Sequence, residues 1–393
     1  MRGLREADHD VHVVPTAAAL RFVGAPTWEA LSGHPAPTDV FEDVPQVTHV
    51  RLGQQADLVL VAPATADLLA RAAHGLADDL LTCTLLTARC PVLMAPAMHT
   101  EMWEHPATRA NVATLRSRGV LVLEPATGRL TGPDSGPGRL PEPDDLLAAA
   151  RAVLDRPGTR RDLAGRRVLV TAGSTQEPLD PVRLLTNRSS GRQGWALARV
   201  AALRGAEVVL VAGHSELADP SGVSTVRVGS ARDLQQAVLD RLEGVDAVVM
   251  AAAVADHRPA EVAEHKLKKV EGEHEHTLTL VRNPDILAGL AADHGRGRVL
   301  VGFAAETGDA SASVLDHGRA KLAVKGVDLL VVNQVGPGRG FGTPDNEAVV
   351  LGRDGSVTEV PLGSKEHLAG VVWDLVAHRL PGILASSTPG AEG

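Results

Sequence analysis

The chain has 393 residues, a net charge of −9, 44% hydrophobic and 22% charged residues. That length suits two domains of ordinary size, and the acidic balance excludes the basic footprint of a nucleic-acid binder. Two cysteines, no apolar run of the ~18 residues a membrane span needs and no signal-peptide pattern point to a soluble cytoplasmic protein.

The opening "MRGLREADHDVHVVPTAAALRFV" reads as the end of a helix, a polar turn, a strand at Val11–Pro15 and a helix around Ala17–Phe22. A parallel α/β sheet ordinarily begins with a strand and a Gly-rich turn before its first helix. Neither is seen, so either this domain is unusual or about 20 of its residues are expected to precede Met1. A Pro- and Asp-rich loop (His34–Pro45) leads to His49 and a short helix ending at Gln55. "DLVLVAPAT" (Asp57–Thr65) is a strand running into a turn, and "ADLLARAAHGLADDLLTCTLLTA" is helical with a break near Gly75. "CPVLMAPAM" is a second buried strand, "ATRANVATLRSRG" an amphipathic helix with a Gly stop, and "VLVLEP" a third strand. "LTGPDSGPGRLPEPD" (Leu130–Asp144) reads as a loop, after which Asp144 or Asp145 is expected to cap a helix.

The polar stretch Asp155–Gly165 reads as a linker between a domain at 1–154 and a second at 166–382, with a disordered tail at 383–393. In the second domain "RVLVTA", "EVVLVAG", "STVRV", "DAVVMAAAV", "RVLVGFAAE" and "DLLVVNQV" are strands, with "GWALARVAALRG", "ARDLQQAVLDRLE" and "HGRAKLAVKG" as helices between them. Asn346–Pro361 alternates about Asp354-Gly355, a hairpin signal, and a last helix covers Lys365–Arg379. Strand–helix alternation in both halves predicts two tandem, doubly wound, parallel-sheet α/β domains of Rossmann-like type.

Ligands of such sheets bind beyond the carboxyl ends of the strands. In the first domain "APATAD", "APAMHTEMW" and "TGPDSGPGR" lie there. Thr65 and the helix-opening N–H groups after "APAT" suit a phosphate, or Thr65 is simply an N-cap. Met98, His99, Met102 and Trp103 follow a strand end, as an active-site wall or a loop folded onto the core.

The stretches "THVRLGQQADLVLVAPATADLLARAAHGLADDLL", "PVLMAPAMHTEMWEHPAT" and "GPGRLPEP" together resemble the flavin-dependent phosphopantothenoylcysteine decarboxylases. The resemblance implies a flavodoxin-like fold, His49 as the catalytic histidine, and FMN across Pro63, Ala64, Thr65 and the segment of Asp78 and Asp79, with Met98 meeting flavin and substrate. His99 stands where the family has a carboxylate-binding Asn; imidazole can donate that bond. Thr131 stands where the family has a proton-donating Cys, and Thr is a far weaker acid, so another group must give the proton. The family's first strand and "GGIAAYK"-like phosphate turn would fall before Met1, and without them FMN is expected to bind weakly.

In the second domain "TAGSTQEPLDPVRLLTNRSSGRQGWALA" (Thr171–Ala198) brings polar donors to a helix N-terminus, an anion site or a capped helix. "AAAVADHRPAEVAEHKLKK" places Lys266, Lys268 and Lys269 beyond an apolar strand, and Lys321 and Lys325 share a helix face. Cations at strand ends suit a triphosphate, although a lysine cluster can be only a solvated face. No GxxxxGKS/T phosphate loop is present, and "GPGRGFG" (Gly336–Gly342) is too degenerate to count as a dinucleotide fingerprint. With "NPDIL" and "GFAAET", this half resembles phosphopantothenate–cysteine ligase. The resemblance implies that Arg183 and Asn187 handle the substrate carboxylate and an acyl-cytidylate. Met250, Ala251, Ala252, Asp256, Pro284, Asp285, Ile286, Leu287 and Phe303 would surround CTP. Lys266, Lys321 and Lys325 would bind its phosphates, and Mg²⁺ would be held through those phosphates rather than by assigned protein ligands.

Both resemblances occur in this order in bifunctional coenzyme A biosynthesis proteins. The expectation is CTP-dependent joining of cysteine to 4′-phosphopantothenate, then FMN-dependent decarboxylation to 4′-phosphopantetheine, with small molecules as partners. A homo-oligomer with a dimeric ligase domain and a trimer-based flavoprotein domain is also implied. The alternative is a ligase alone, with a flavin-free first domain.

Overall fold

The computed structural model describes residues 1–40, 47–131, 134–268, 275, 277–293, 297–306, 314–334 and 345–381. Lys269, Gly336–Gly342 and the tail at 383–393 lie outside the described residues. The chain divides into two compact units, Met1–Arg161 and Asp162–Gly393.

Unit 1 begins with α1 (Arg2–Arg5), a 3-10 turn (Ala19–Arg21), α2 (Ala25–Ser32) and α3 (Thr48–Gln55). Then follow β1 (Val59–Ala64), α4 (Ala66–His74), α5 (Leu80–Thr87), β2 (Val92–Pro96), α6 (Thr100–Glu104), α7 (Pro106–Ser117) and β3 (Leu121–Val122). β4 (Ala126–Arg129), β5 (Ser135–Arg139) and α8 (Pro143–Asp155) complete it. The sheet β1-β2-β3 is parallel. Its buried Val61, Ala64, Met94 and Val122 pack with Leu68, Leu69 and Ala73 of α4 and Val112 and Leu115 of α7.

Four expectations are corrected here. Val11–Pro15 is not a strand: it joins no ladder among the described residues, and apolar alternation without a partner leaves backbone groups unpaired in any sheet. The helix expected at Ala17–Phe22 is one 3-10 turn; the helix lies later, at α2, where Pro26 sits in the first turn, a helix-starting position. The loop at Leu130–Asp144 contains β5, paired antiparallel with β4. Neither Asp144 nor Asp145 caps α8; Glu142 occupies the N-cap, and both aspartates sit in the first turn beside the positive helix end.

Unit 2 contains β6 (Arg167–Ala172), the hairpin β7 (Gln176–Pro178) and β8 (Leu184–Thr186), α9 (Arg192–Leu203), β9 (Glu207–Ala212), β10 (Ser224–Arg227), α10 (Ala231–Leu239) and β11 (Ala247–Met250). The hairpin β12 (His257–Pro259) and β13 (Leu280–Arg282) follows, then α11 (Ile286–Ala292), β14 (Val299–Glu306), α12 (Val314–Lys325) and β15 (Leu329–Gln334). β16 (Asp345–Gly352), β17 (Val357–Ser364) and α13 (Lys365–Ala377) close the unit. The main sheet runs β10-β9-β6-β11-β14-β15-β16-β17, its first six strands parallel and the last two antiparallel. Both faces are covered, which is why the strands read as continuous apolar runs. Leu169, Val209 and Val211 join the core under α10 and α11. On strand alternation Val168, Val170 and Leu210, also buried, face the other way. Gly194 lets α9 approach β6, since a Cβ there would lie 2.3 Å from the Ala172 Cβ.

Candidate active sites

In unit 1, His49 sits in the first turn of α3. Its carbonyl accepts a 2.8 Å bond from the Thr87 hydroxyl of α5. Gly53 permits that close packing, because a Cβ would come 2.3 Å from Thr87 Oγ1 and 2.8 Å from its carbonyl carbon. The His49 Nδ1 is buried and makes no hydrogen bond within the protein. The backbone thus holds the ring while leaving a nitrogen for a ligand or a proton.

Thr65 is the N-cap of α4, accepting from Leu68 N–H at 3.2 Å. Asp79 caps α5 in a reciprocal box with Thr82. Arg71 reaches Asp79 at 2.8 Å, Asp78 at 2.7 Å and Asp67 at 3.1 Å. Burial alone would raise the Asp79 carboxyl, but the Thr82 N–H and Arg71 outweigh it and hold it below its ordinary value. Both acids are already paired with Arg71, while Pro63, Thr65 and Asp78 remain exposed.

Beyond β2, Met98 and Trp103 are partly buried against the core, and Met102 is half exposed. The hairpin strand β5 lies directly on this turn. Met98 N–H donates to Gly138 O at 2.9 Å. A Cβ at Gly138 would meet Met98 O at 2.2 Å, and one at Gly136 would meet Thr100 Oγ1 at 2.4 Å. His99 is half-buried, with Nδ1 4.0 Å from Glu101. Thr131 is exposed at the end of the hairpin, its carbonyl accepting from Asp134 N–H at 3.4 Å. The Met98–Thr100 turn is thus both a core contact and the floor under the hairpin.

In unit 2 the strand order reverses between β6 and β11, the place where open α/β sheets hold ligands. The loops leaving these strands are knitted together: Thr175 N–H to Ala253 O at 3.2 Å, Ala253 N–H to Gly173 O at 2.8 Å, Ala255 N–H to Thr175 Oγ1 at 3.0 Å. Ala252 N–H donates to Thr171 Oγ1 at 3.1 Å. Asn187 joins them, donating to Val254 O at 3.1 Å.

Asp180 is fully buried at the turn of the β7–β8 hairpin and organises the next layer. Its carboxylate accepts from Val182 and Arg183 N–H at 2.8 Å and from the Arg183 guanidinium at 2.7 and 3.0 Å. Leu267 N–H donates to it at 3.1 Å, and Arg183 returns a 2.9 Å bond to Leu267 O. Burial would raise the Asp180 carboxyl, but these donors win and hold it well below the carboxylate range. Arg183 is therefore tied to the backbone between exposed Lys266 and Lys268. Sequence reasoning missed Asp180, Thr171, Thr175 and Asn283, whose side chain bonds Ala255 O at 2.8 Å. The signal was present in the polar residues of "TAGSTQEPLD" and "RNPD".

Asp285 caps α11 by accepting from Ala288 N–H at 3.0 Å and pairs with Lys325. Burial would raise this carboxyl, while Lys325, the Ala288 N–H and the field of Lys321 together lower it. Met250 and Ile286 are core residues, and Leu287 packs beside them. Ala251, Ala252, Pro284 and Phe303 are half-buried, and Asp256 is exposed.

These features define a two-unit α/β protein with a candidate site at the strand ends of each unit. The flavoprotein family matches residues 1–155, and the C-terminal domain of DNA/pantothenate metabolism flavoproteins matches residues 163–380. The coenzyme A biosynthesis bifunctional protein CoaBC of Mycobacterium tuberculosis is 60% identical over 390 residues, covering 97% of this chain and 93% of that protein. That of Mycolicibacterium smegmatis is 58% identical over 384 residues, covering 96% and 92%. The crystal structure of a C-terminal domain of such a CoaBC protein is 37% identical, covers 56% of this chain and 97% of its own, and has a TM-score of 0.47. The chain belongs to the family of bifunctional coenzyme A biosynthesis proteins. It combines phosphopantothenate–cysteine ligation with decarboxylation of the product by an FMN-dependent flavoprotein domain.

Proposed function

We propose that unit 2 carries out the ligation with CTP and Mg²⁺, and that unit 1 carries out the decarboxylation. The carrying observation is the joining of Arg183, Asp180 and the Lys266–Lys268 backbone beside Asn187 at the strand-order reversal. Arg183 and Asn187 then meet the carboxylate of 4′-phosphopantothenate. A carboxylate oxygen attacks the α-phosphorus of CTP and pyrophosphate leaves. The cysteine amine next attacks the acyl carbon, loses a proton and releases CMP. Lys266 bears on the charge that builds on the phosphoryl oxygens, where a cation acts most strongly. Lys321 and Lys325 extend the positive field at the α11–α12 end, and Mg²⁺, held through the CTP phosphates, would supply further charge neutralisation there.

In unit 1, the free buried Nδ1 of His49 fits a bound flavin–substrate pair. Pro63, Ala64, Thr65, Asp78, Asp79 and Met98 would hold FMN, which supplies a two-electron oxidant and reductant when bound. His49 moves the proton of the substrate thiol, and His99 binds the substrate carboxylate. Thr131 positions substrate without supplying a proton.

Homo-oligomerisation belongs to the same reading: Leu184, Leu185, Leu280 and Val281 expose apolar surface on the unit 2 hairpins. Among the described residues, no helix is long and apolar enough to cross a membrane. The test is the nucleotide product. CTP with 4′-phosphopantothenate and cysteine should yield CMP and pyrophosphate in step with the amide; CDP and phosphate would contradict the acyl-cytidylate.

A further inference from the structure

Away from both sites, Asp10, His12 and His34 bring three donor atoms within 4.8 Å of one another, the one such group of three among the described residues. We propose that they form a binding site for a zinc-type divalent cation.

The chain sets up the cluster through backbone contacts. After α1, Asp8 takes a positive φ of 61° and His9 N–H bonds Leu4 O at 3.1 Å, turning the chain into the segment of Asp10 and His12. The Asp10 carboxylate and the His12 ring face one way, with His12 Nε2 3.2 Å from the Asp10 Oδ2. His34 comes from the other side. Gly33 ends α2 in the left-handed conformation, its N–H on Glu29 O. Buried Ser32 then fixes His34 by bonds of 3.1 Å to its N–H and carbonyl. Arg5 of α1 donates to Ser32 O, joining the two supports.

Asp10 offers one oxygen to His34 Nε2 at 2.6 Å and the other to His12 Nε2 at 3.2 Å. The imidazoles stack with centroids 4.1 Å apart and planes at 20°, and each turns its Nε2 to the Asp10 carboxylate; the rings tilt apart for both lone pairs to meet one ion. Around a tetrahedral ion with bonds near 2.0–2.2 Å, donor atoms lie about 3.3 Å apart. The His12–Asp10 separation already matches, and a small rotation opens the His34–Asp10 edge. Two imidazole nitrogens and a carboxylate suit zinc and its neighbours better than calcium or magnesium, which prefer oxygen. All three side chains are reachable from solvent, leaving water as a fourth ligand. The bound ion would clamp the Asp10 segment to the end of α2.

The experiment is a titration of the tag-free chain with CoCl₂, read in the visible, followed by ZnCl₂ displacement. One equivalent of cobalt should give the absorption of a low-coordinate centre, zinc should remove it, and zinc should raise the thermal midpoint. The chain has 16 histidines, so variants assign the signal. His12→Gln/His34→Gln should abolish the band, and Asp10→Asn should weaken binding roughly tenfold or more. His34→Cys should add a near-ultraviolet cobalt–thiolate band absent from the native chain. This decides the matter even if the double variant misfolds. No saturable band, a band unchanged in the double variant, or no thiolate signal from His34→Cys would each overturn the site.

Discussion

Lys266 is exposed, but its neighbour Leu267 is held at both backbone atoms, by Asp180 and by Arg183. A solvated lysine needs no such anchoring, so the arrangement favours a working cation. Lys266→Gln should lower ligase kcat by ~10²-fold or more with CTP binding retained. A loss under ~3-fold, less than 1 kcal/mol, would make it a solvated side chain. Asn187→Asp should bind CTP yet stall at the acyl-cytidylate, seen by mass spectrometry; normal amide formation would remove Asn187 from the site. Asp180 gives a pH prediction. Its folded pKa is depressed, so its support is complete above the ordinary carboxylate value near 4 and is lost only as pH falls through the depressed one. The ligase profile between about pH 5 and 9 should therefore carry no Asp180 titration, and Asp180→Asn should lose activity across that whole range. Rescue of Asp180→Asn at either end would contradict this role.

At the scale of elements, α3 owes its position to the Gly53–Thr87 contact. Gly53→Ala should push α3 from α5 and move His49; displacement by about 1 Å can cost ~10²-fold in rate. Decarboxylation should fall while ligation holds, and equal loss of both would mean general unfolding. The same contrast explains what the sequence revealed. Strands β6, β9, β11, β14 and β15 are apolar along their central residues because both faces are buried, and they were legible. β5, "SGPGR", has a glycine and proline composition indistinguishable from a loop, and its role depends on packing over Met98 that no local pattern encodes. Val11–Val14 has the opposite mismatch, strand-like residues with no ladder. Arg183, Asn187 and Lys266 stood out as charged or polar residues in strand-exit segments. Asp180 did not, since a buried acid bound by five donor contacts looks in sequence like any turn aspartate.

At the scale of the whole molecule, two compact units meet at Arg161 and Asp162 in sequence, and each has its own candidate strand-end site. The reading divides two consecutive reactions between them, so a substitution in one unit should leave the other's chemistry intact. Product identity by mass spectrometry tests this most directly, with 4′-phosphopantothenate, cysteine, CTP, Mg²⁺ and added FMN supplied to three chains. The unaltered protein should accumulate 4′-phosphopantetheine. His49→Asn should stop at 4′-phosphopantothenoylcysteine, and Lys266→Gln should form neither. Phosphopantetheine from His49→Asn, or failure of that variant to make the amide, would contradict the account.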